Sequence, residues 1–285
     1  MKAISFGEVL WDIIEQCEYI GGAPFNLAAH LAQHGVQAAL LTRVGADERG
    51  EKALREIERL EVHDEFVQID EHHPTGWAKV QLDANGNATF EFPNDPAYNF
   101  ITLDPLLLQR LSEWQWDVIC FGTLVQRGEV ARKSLHRLLD SVKSRHVFYD
   151  VNIRLDYYPQ TVISDSLGRS TIVKLNADEA MLLCQRLYRE KLAEQMFAQR
   201  LLADYSLELV CVTKGAEGCT VFTREEVVDS PAPRIEVVDT VGAGDAFSAE
   251  FLRAYCNGES LAAAARAANE LGAYVASRPG AVPER

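Results

Sequence analysis

Short apolar runs recur along the chain, at residues 3–6, 38–44, 118–121, 147–151, 171–175, 209–213 and 219–222. They predict β-strands, and since most are continuous rather than alternating they suit a parallel sheet covered on both faces. Amphipathic segments at residues 26–34, 50–60, 104–111, 129–144, 177–187 and 190–205 fall between them and read as helices. This strand–helix rhythm predicts an α/β fold with one doubly wound, mostly parallel sheet. No repeat, low-complexity tract or Pro/Gly/Ser linker interrupts it, so residues 1–285 read as a single α/β domain.

One stretch breaks the rhythm. Residues 76–83 and 88–92 alternate apolar and polar positions around a turn containing Asn85 and Gly86, the strongest short hairpin signal. Alternation suits a half-exposed pair of strands, so a small β flap is expected at residues 76–97, outside the main sheet.

Composition then narrows the partners. The chain carries 28 Lys and Arg against 42 Asp and Glu, a formal net charge of −14. A surface that acidic repels nucleic-acid backbones and anionic lipid, although one local pocket can still hold a small anion. Hydrophobic residues at 47% and charged residues at 25% exclude a disordered chain. The six cysteines, at 17, 120, 184, 211, 219 and 256, form no C-x-x-C and read as buried small residues in a reducing compartment. The start of the chain reaches Glu8 before any long apolar stretch, and no run of 18 apolar residues occurs. Neither a signal peptide nor a membrane span is expected, and the protein reads as soluble and cytoplasmic.

The strongest chemical signal lies at residues 237–248, where an apolar β-run turns through Gly242, Ala243, Gly244 and Asp245 into a helix carrying Phe247 and Phe251. Glycines let successive backbone amides point at one spot, and a helix start adds unpaired amides and partial positive charge, so the loop reads as an anion cradle. A dinucleotide fingerprint needs glycine where Phe247 stands, and a Walker A loop needs a Gly-Lys pair that the chain lacks. Two readings stay open. Asp245 either complements the helix dipole, or serves as the base that takes a proton from a hydroxyl attacking a phosphoryl group.

A second signal is Gly21-Gly22-Ala23-Pro24-Phe25-Asn26, which combines close backbone approach, a helix start and an amide that both donates and accepts. That mix suits a polyhydroxylated ligand or a plain helix cap. Asp12 is expected at the end of the first strand, near where ligands bind in open α/β sheets. His30 and His34 lie one helical turn apart but lack the Glu of H-E-x-x-H and a third ligand, so no zinc site is expected.

Together, Gly-Gly-x-x-x-Asn at 21–26 and Asp-Thr-x-Gly-Ala-Gly-Asp at 239–245 resemble the PfkB/ribokinase family of carbohydrate kinases. The likeness continues through Arg43–Gly50, Phe121–Leu124, Asp150–Arg154, the N-x-x-E motif at 176–179 and the Thr-Lys-Gly-Ala-Glu-Gly loop at 213–218. It implies a ribokinase-like fold and an ATP- and Mg²⁺-dependent sugar kinase, most similar to fructokinases, acting on a primary hydroxyl. Asp245 would be the base and Gly242, Ala243 and Gly244 the anion hole. Asp12, Gly22 and Asn26 would hold sugar hydroxyls. Asn176 and Glu179 would organise Mg²⁺ and phosphate through water. Thr213, Gly215, Gly218 and Gly244 would line the ATP site, with Asn269 near the adenine.

The hairpin would be the family's lid. Tyr98 and Phe100, an aromatic pair just after it, either touch the sugar or its entrance or pack in the core. A K⁺ ion would sit between Asp239 and residues 276–280. Arg154 offers a partner for a substrate carboxylate, which makes a 2-keto-3-deoxygluconate kinase the alternative enzyme. A sugar-binding regulator without turnover is the alternative outside catalysis. Two departures stand out. Glu250 replaces a small residue five positions after the base, and only eight residues separate Asp12 from Gly21. So short a segment questions the lid-to-lid dimer of longer-lidded relatives and leaves monomer and homodimer open.

Overall fold

A computed structural model of the protein describes residues 1–14, 17–82, 88–153 and 158–284. The first half of the chain forms β1 (Lys2–Phe6), β2 (Leu10–Ile14), β3 (Cys17–Gly21), α1 (Ala23–Gln33), β4 (Gln37–Gly45), α2 (Glu48–Arg59), β5 (Val67–Asp70), β6 (Gly76–Leu82), β7 (Ala88–Glu91), α3 (Pro105–Glu113), β8 (Trp116–Gly122) and α4 (Glu129–Ser141). The second half forms β9 (Ser144–Asp150), α5 (Gln160–Gly168), β10 (Ile172–Asn176), α6 (Ala177–Tyr188), α7 (Glu194–Asp204), β11 (Leu209–Thr213), β12 (Cys219–Phe222), β13 (Val227–Ser230), α8 (Ala243–Cys256) and α9 (Leu261–Ala276).

Nine strands make the main sheet, in the order β13-β12-β11-β10-β9-β8-β1-β4-β5. From β5 to β11 every neighbouring pair is parallel, as the unalternating apolar runs predict. Side chains alternate between two cores, one on each face. Ile4, Phe6, Val173 and Leu175 join the core covered by α3–α7, while Ala3, Phe148 and Ile172 join the core under α1, α2, α8 and α9. β12 and β13 close the sheet antiparallel because the loop from Thr213 to Cys219 is far too short for a crossover.

The flap is larger than the alternating hairpin suggests. It is a second sheet in the order β3-β2-β6-β7, in which β2 runs antiparallel to β3 and parallel to β6. The short segment after Asp12 thus folds back as β3 and supplies half of the lid. The Asn85-Gly86 turn lies outside the described residues. Residues 237–239 form no strand, since Val237 and Val238 are 58% and 61% exposed beside the anion-loop motif. Cys120, Cys184, Cys211 and Cys219 are buried, but Cys17 is exposed and Cys256 partly so. Among the described residues no helix is long and apolar enough to cross a membrane.

Candidate active site

The carboxyl ends of β9, β10 and β11 present Asp150, Asn176 and Thr213 along one edge of the sheet. Helices α1 and α8 pack against each other with their amino ends at this same edge, where open α/β sheets bind ligands. Each helix starts on a residue that only glycine can supply. Gly22 has φ +106°, and a β-carbon there would stand 2.5 Å from the Glu8 carbonyl oxygen. Gly242 has φ +76°, and its β-carbon would stand 2.5 Å from the Ala281 carbonyl oxygen. Both positions exclude side chains on backbone conformation and on space.

These starts bring two distant motifs together. The Asn26 side chain is 4% exposed, and its Nδ2 donates to Asp245 Oδ2 at 2.8 Å across 219 residues of sequence. The Asn26 Oδ1 is buried and receives no hydrogen bond from the described residues. Asp245 lies in the first turn of α8, one residue past the 242–244 loop, where helix amides lack intrahelical acceptors. Amides, a half-buried carboxylate and a buried carbonyl oxygen with spare capacity therefore meet in one place. That set can cradle an anion while receiving a hydroxyl.

Asp12 occupies a different element from the one expected. β1 ends at Phe6, and Asp12 sits in the middle of β2, paired with Tyr19 of β3 and Ala78 of β6. Its carboxylate lies over Gly21, where any β-carbon would collide with it. The chain turns away after Phe6 to build the lid, so Asp12 belongs to the lid's own sheet.

Glu179 and Asn176 form a capping box at the start of α6. Asn176 Oδ1 accepts from the Glu179 amide at 2.8 Å, and Glu179 Oε2 accepts from the Asn176 amide at 2.8 Å. Glu179 Oε1 also accepts from the Ile153 amide at 2.8 Å. Burial pushes the Glu179 carboxyl up, and the nearby Asp150 adds to it while Lys174 opposes. A cation would relieve that strain on the ionised form. The donors are hard oxygens with lone pairs to spare, which suits hydrated Mg²⁺. Among the described residues no three His, Cys, Asp or Glu side chains converge to hold a metal, so such an ion would be held largely through water.

Asn176, Thr213 and Gly215 line one open cavity of about 490 Å³, together with Asp178, Lys214 and Glu217. Gly218 does not line it; with φ +98° it passes tightly against the Ser230–Ala232 backbone. Asn269 spends its Nδ2 on the Ser230 carbonyl at 2.9 Å and hydroxyl at 3.1 Å, tying α9 to the end of β13. Asp239 caps the loop before α8, accepting from the Val241 amide at 3.0 Å and the Gly280 amide at 3.1 Å. It therefore lies beside residues 276–280.

Tyr98 is fully buried against Gly76, with Leu10 also lining that spot. Burial and the neighbouring Glu8 push its phenol well above the usual range, and its hydroxyl meets no partner among the described residues. Phe100 stacks on His73 at 3.6 Å between centroids. Arg154 lies outside the described residues. His30 and His34 are used structurally, the first against the Ala281 carbonyl at 2.9 Å and the second against Glu250 at 2.6 Å. The second pairing explains the unexpected Glu250, which also takes two bonds from Arg253.

Sequence reasoning gave no role to one buried ion pair of the site. Lys174, 8% exposed on β10, pairs with both oxygens of Asp150, at 2.9 and 3.1 Å. A lysine inside the apolar run Ile172-Val173-Lys174-Leu175 is the signal that could have found it.

Residues 4–284 match the family model for pfkB family carbohydrate kinases. Fructokinase-2 of Oryza sativa subsp. japonica is 27% identical over 310 aligned residues, covering 98% of this chain and 89% of that protein. Two solved structures share the fold across 99% of this chain and 94% of theirs. One is fructokinase with bound ATP from Xylella fastidiosa, with a TM-score of 0.86 and 21% identity. The other is fructokinase from Vibrio cholerae O395 in fructose, ADP and calcium ion bound form, with a TM-score of 0.84 and 22% identity. The match over nearly the whole chain means that this chain belongs to the pfkB family of carbohydrate kinases, ATP-dependent phosphotransferases with an alcohol group as acceptor.

Proposed function

We propose that the protein is a fructokinase, moving the γ-phosphoryl group of ATP to a primary hydroxyl of fructose. The observation that carries this reading is the Asn26–Asp245 hydrogen bond at 2.8 Å, which links a buried amide suited to sugar hydroxyls with the carboxylate at the anion cradle. The identity to rice fructokinase-2 along 98% of the chain supports fructose as the acceptor.

In this reading the sugar lies between Asp12 of the lid, the Gly22 backbone and Asn26. Asn26 Nδ2 orients the Asp245 carboxylate, which takes the hydroxyl proton as the new O–P bond forms. The amides of Gly242, Ala243 and Gly244 receive the charge on the phosphoryl oxygens. The cavity lined by Asn176, Thr213 and Gly215 takes part of the nucleotide. Asn176 and Glu179 would hold Mg²⁺ through water, and the ion would supply further charge neutralisation on the phosphates. Asp239 and residues 276–280 would hold K⁺ beside the anion loop. The Tyr98 hydroxyl, without a partner among the described residues, serves the sugar from the floor of the lid, by bonding rather than by ring stacking.

The test is an ADP-release assay across fructose, ribose, mannose, 2-keto-3-deoxygluconate, fructose phosphates and adenosine. The highest kcat/KM is expected for fructose. A higher value for the keto acid would transfer the assignment to an acid-sugar kinase, and tight sugar binding without turnover would make the chain a sugar-binding regulator.

A further inference from the structure

Position 174 lies in a strand whose other buried members are Ile172, Val173 and Leu175. It stands in register with Asp150 of β9 and Cys211 of β11. Alternation puts it on the same face as Ile172, under α1 and α8. A hydrocarbon side chain is what this place calls for. Replacing a buried ion pair by apolar residues of similar size is often neutral or stabilising, so packing and stability do not account for Lys174 and Asp150.

Geometry gives another account. Asp150 fixes the ammonium with two bonds. Ser248 on α8 lies 3.2 Å from Asp150 Oδ2 and 2.9 Å from the Gly244 carbonyl, so the pair is tied to the anion loop itself. A β-carbon built on Gly244 would stand 3.3 Å from Lys174 Nζ, which places the ammonium directly against that loop. Bonded to both Asp150 oxygens and set against the loop, the ammonium is a fixed cation.

We propose that Lys174 is a further catalytic residue, whose ammonium, held by Asp150 that Ser248 in turn bonds, lies against the 242–244 loop to contact the γ-phosphoryl group and offset its charge during transfer. This rests on the kinase reading of the site. Backbone amides offer the phosphoryl oxygens partial charges, whereas Lys174 brings a whole one already desolvated and positioned. Asp150 and Ser248 are positioning residues that act through it.

The test compares Lys174→Met, Asp150→Leu and the double variant. Each single variant leaves a buried charge unpaired and lowers the melting temperature, and the double variant returns it to near the wild-type value. Turnover does not return with it. Lys174→Met and the double variant are expected to lose about 10²–10³-fold in kcat, the range seen when one preorganised charge-stabilising donor is removed. By titration calorimetry both should weaken ATP binding about tenfold, the effect of losing one charge-assisted bond, while ADP and fructose affinities stay near wild type. A double variant that recovers kcat together with its melting temperature would make the pair purely structural and overturn the proposal. If the apolar double variant does not fold, Asp150→Asn/Lys174→Gln, which keeps the hydrogen bond and removes both charges, carries the same comparison. Calorimetry also separates this inference from the reading beneath it. Should the wild type turn over no sugar, the double variant's ATP-over-ADP preference still decides, its loss supporting the contact and its retention overturning it.

Discussion

Asn26→Leu removes the amide that steadies the base and keeps the side-chain volume. The site is 4% exposed, and the Asn26 Oδ1 is already without a donor among the described residues, so an apolar replacement leaves little new to desolvate. The lost bond is the one from Nδ2 to Asp245 Oδ2 at 2.8 Å. A hydrogen bond to a charged group contributes about 1.5–3 kcal/mol, and the half-buried position of Asp245 reduces that to about 1–2 kcal/mol. Divided by about 1.4 kcal/mol per pH unit, the acid limb of the kcat/KM profile should move up by roughly one pH unit. The sign follows from the bond stabilising the ionised form, so its loss makes the carboxyl easier to protonate. The assay is initial-rate turnover from pH 5 to pH 9 (a range of order a few units either side of neutral), alongside thermal melts to confirm folding. An acid limb that stays within about 0.2 pH units of wild type, in a folded variant with measurable turnover, would refute the coupling.

Three further outcomes follow from particular contacts. Gly242→Ala puts a β-carbon 2.5 Å from the Ala281 carbonyl at a φ of +76°, and should cost about 2 kcal/mol in stability and more than tenfold in kcat; wild-type values of both would disprove the cradle geometry. Burial raises the Glu250 carboxyl but bonds from His34 and Arg253 prevail and hold it at about 2, below its ordinary 4.5. A depressed carboxyl stabilises the fold above pH 4.5 and loses that contribution as pH falls towards 2. The gap between wild type and Glu250→Gln in urea unfolding, about 2 kcal/mol at neutral pH, should therefore close on acidification, and a constant gap would count against the His34–Glu250–Arg253 cluster. Tyr98→Phe deletes a buried hydroxyl with no partner among the described residues, so the melting temperature should hold while KM for fructose rises and KM for ATP does not; equal changes in both would remove Tyr98 from the sugar site.

Much of the main sheet was legible because parallel strands buried on both faces leave unbroken apolar runs. The lid was half legible. β6 and β7 alternate, whereas Leu10, Trp11, Ile13 and Ile14 cluster around a single polar Asp12 and hide the β2–β3 hairpin. β5 and β13 are four-residue strands at opposite edges of the main sheet, and α5 is a nine-residue helix with Thr and Val in its first turn, so none of them carries a strong period. Within the site, Gly22, Asn26, Gly242 and Asp245 announced themselves through backbone demands that a glycine-rich loop writes into the sequence. Lys174 left only a charge inside an apolar run, and its pairing with Asp150 comes from strand register between β9 and β10, a relation between segments 24 residues apart.

The claim at the centre of this account is that Asp245 takes the proton from the sugar hydroxyl. Its most direct test is the turnover of Asp245→Asn, measured with fructose and ATP once calorimetry has shown that both still bind. The replacement keeps an oxygen for the Asn26 amide and removes only basicity, so folding and binding should persist. The account predicts a loss of about 10²–10⁴-fold in kcat. A folded, ligand-binding variant that retains more than about a tenth of wild-type kcat would place the base elsewhere and contradict the mechanism.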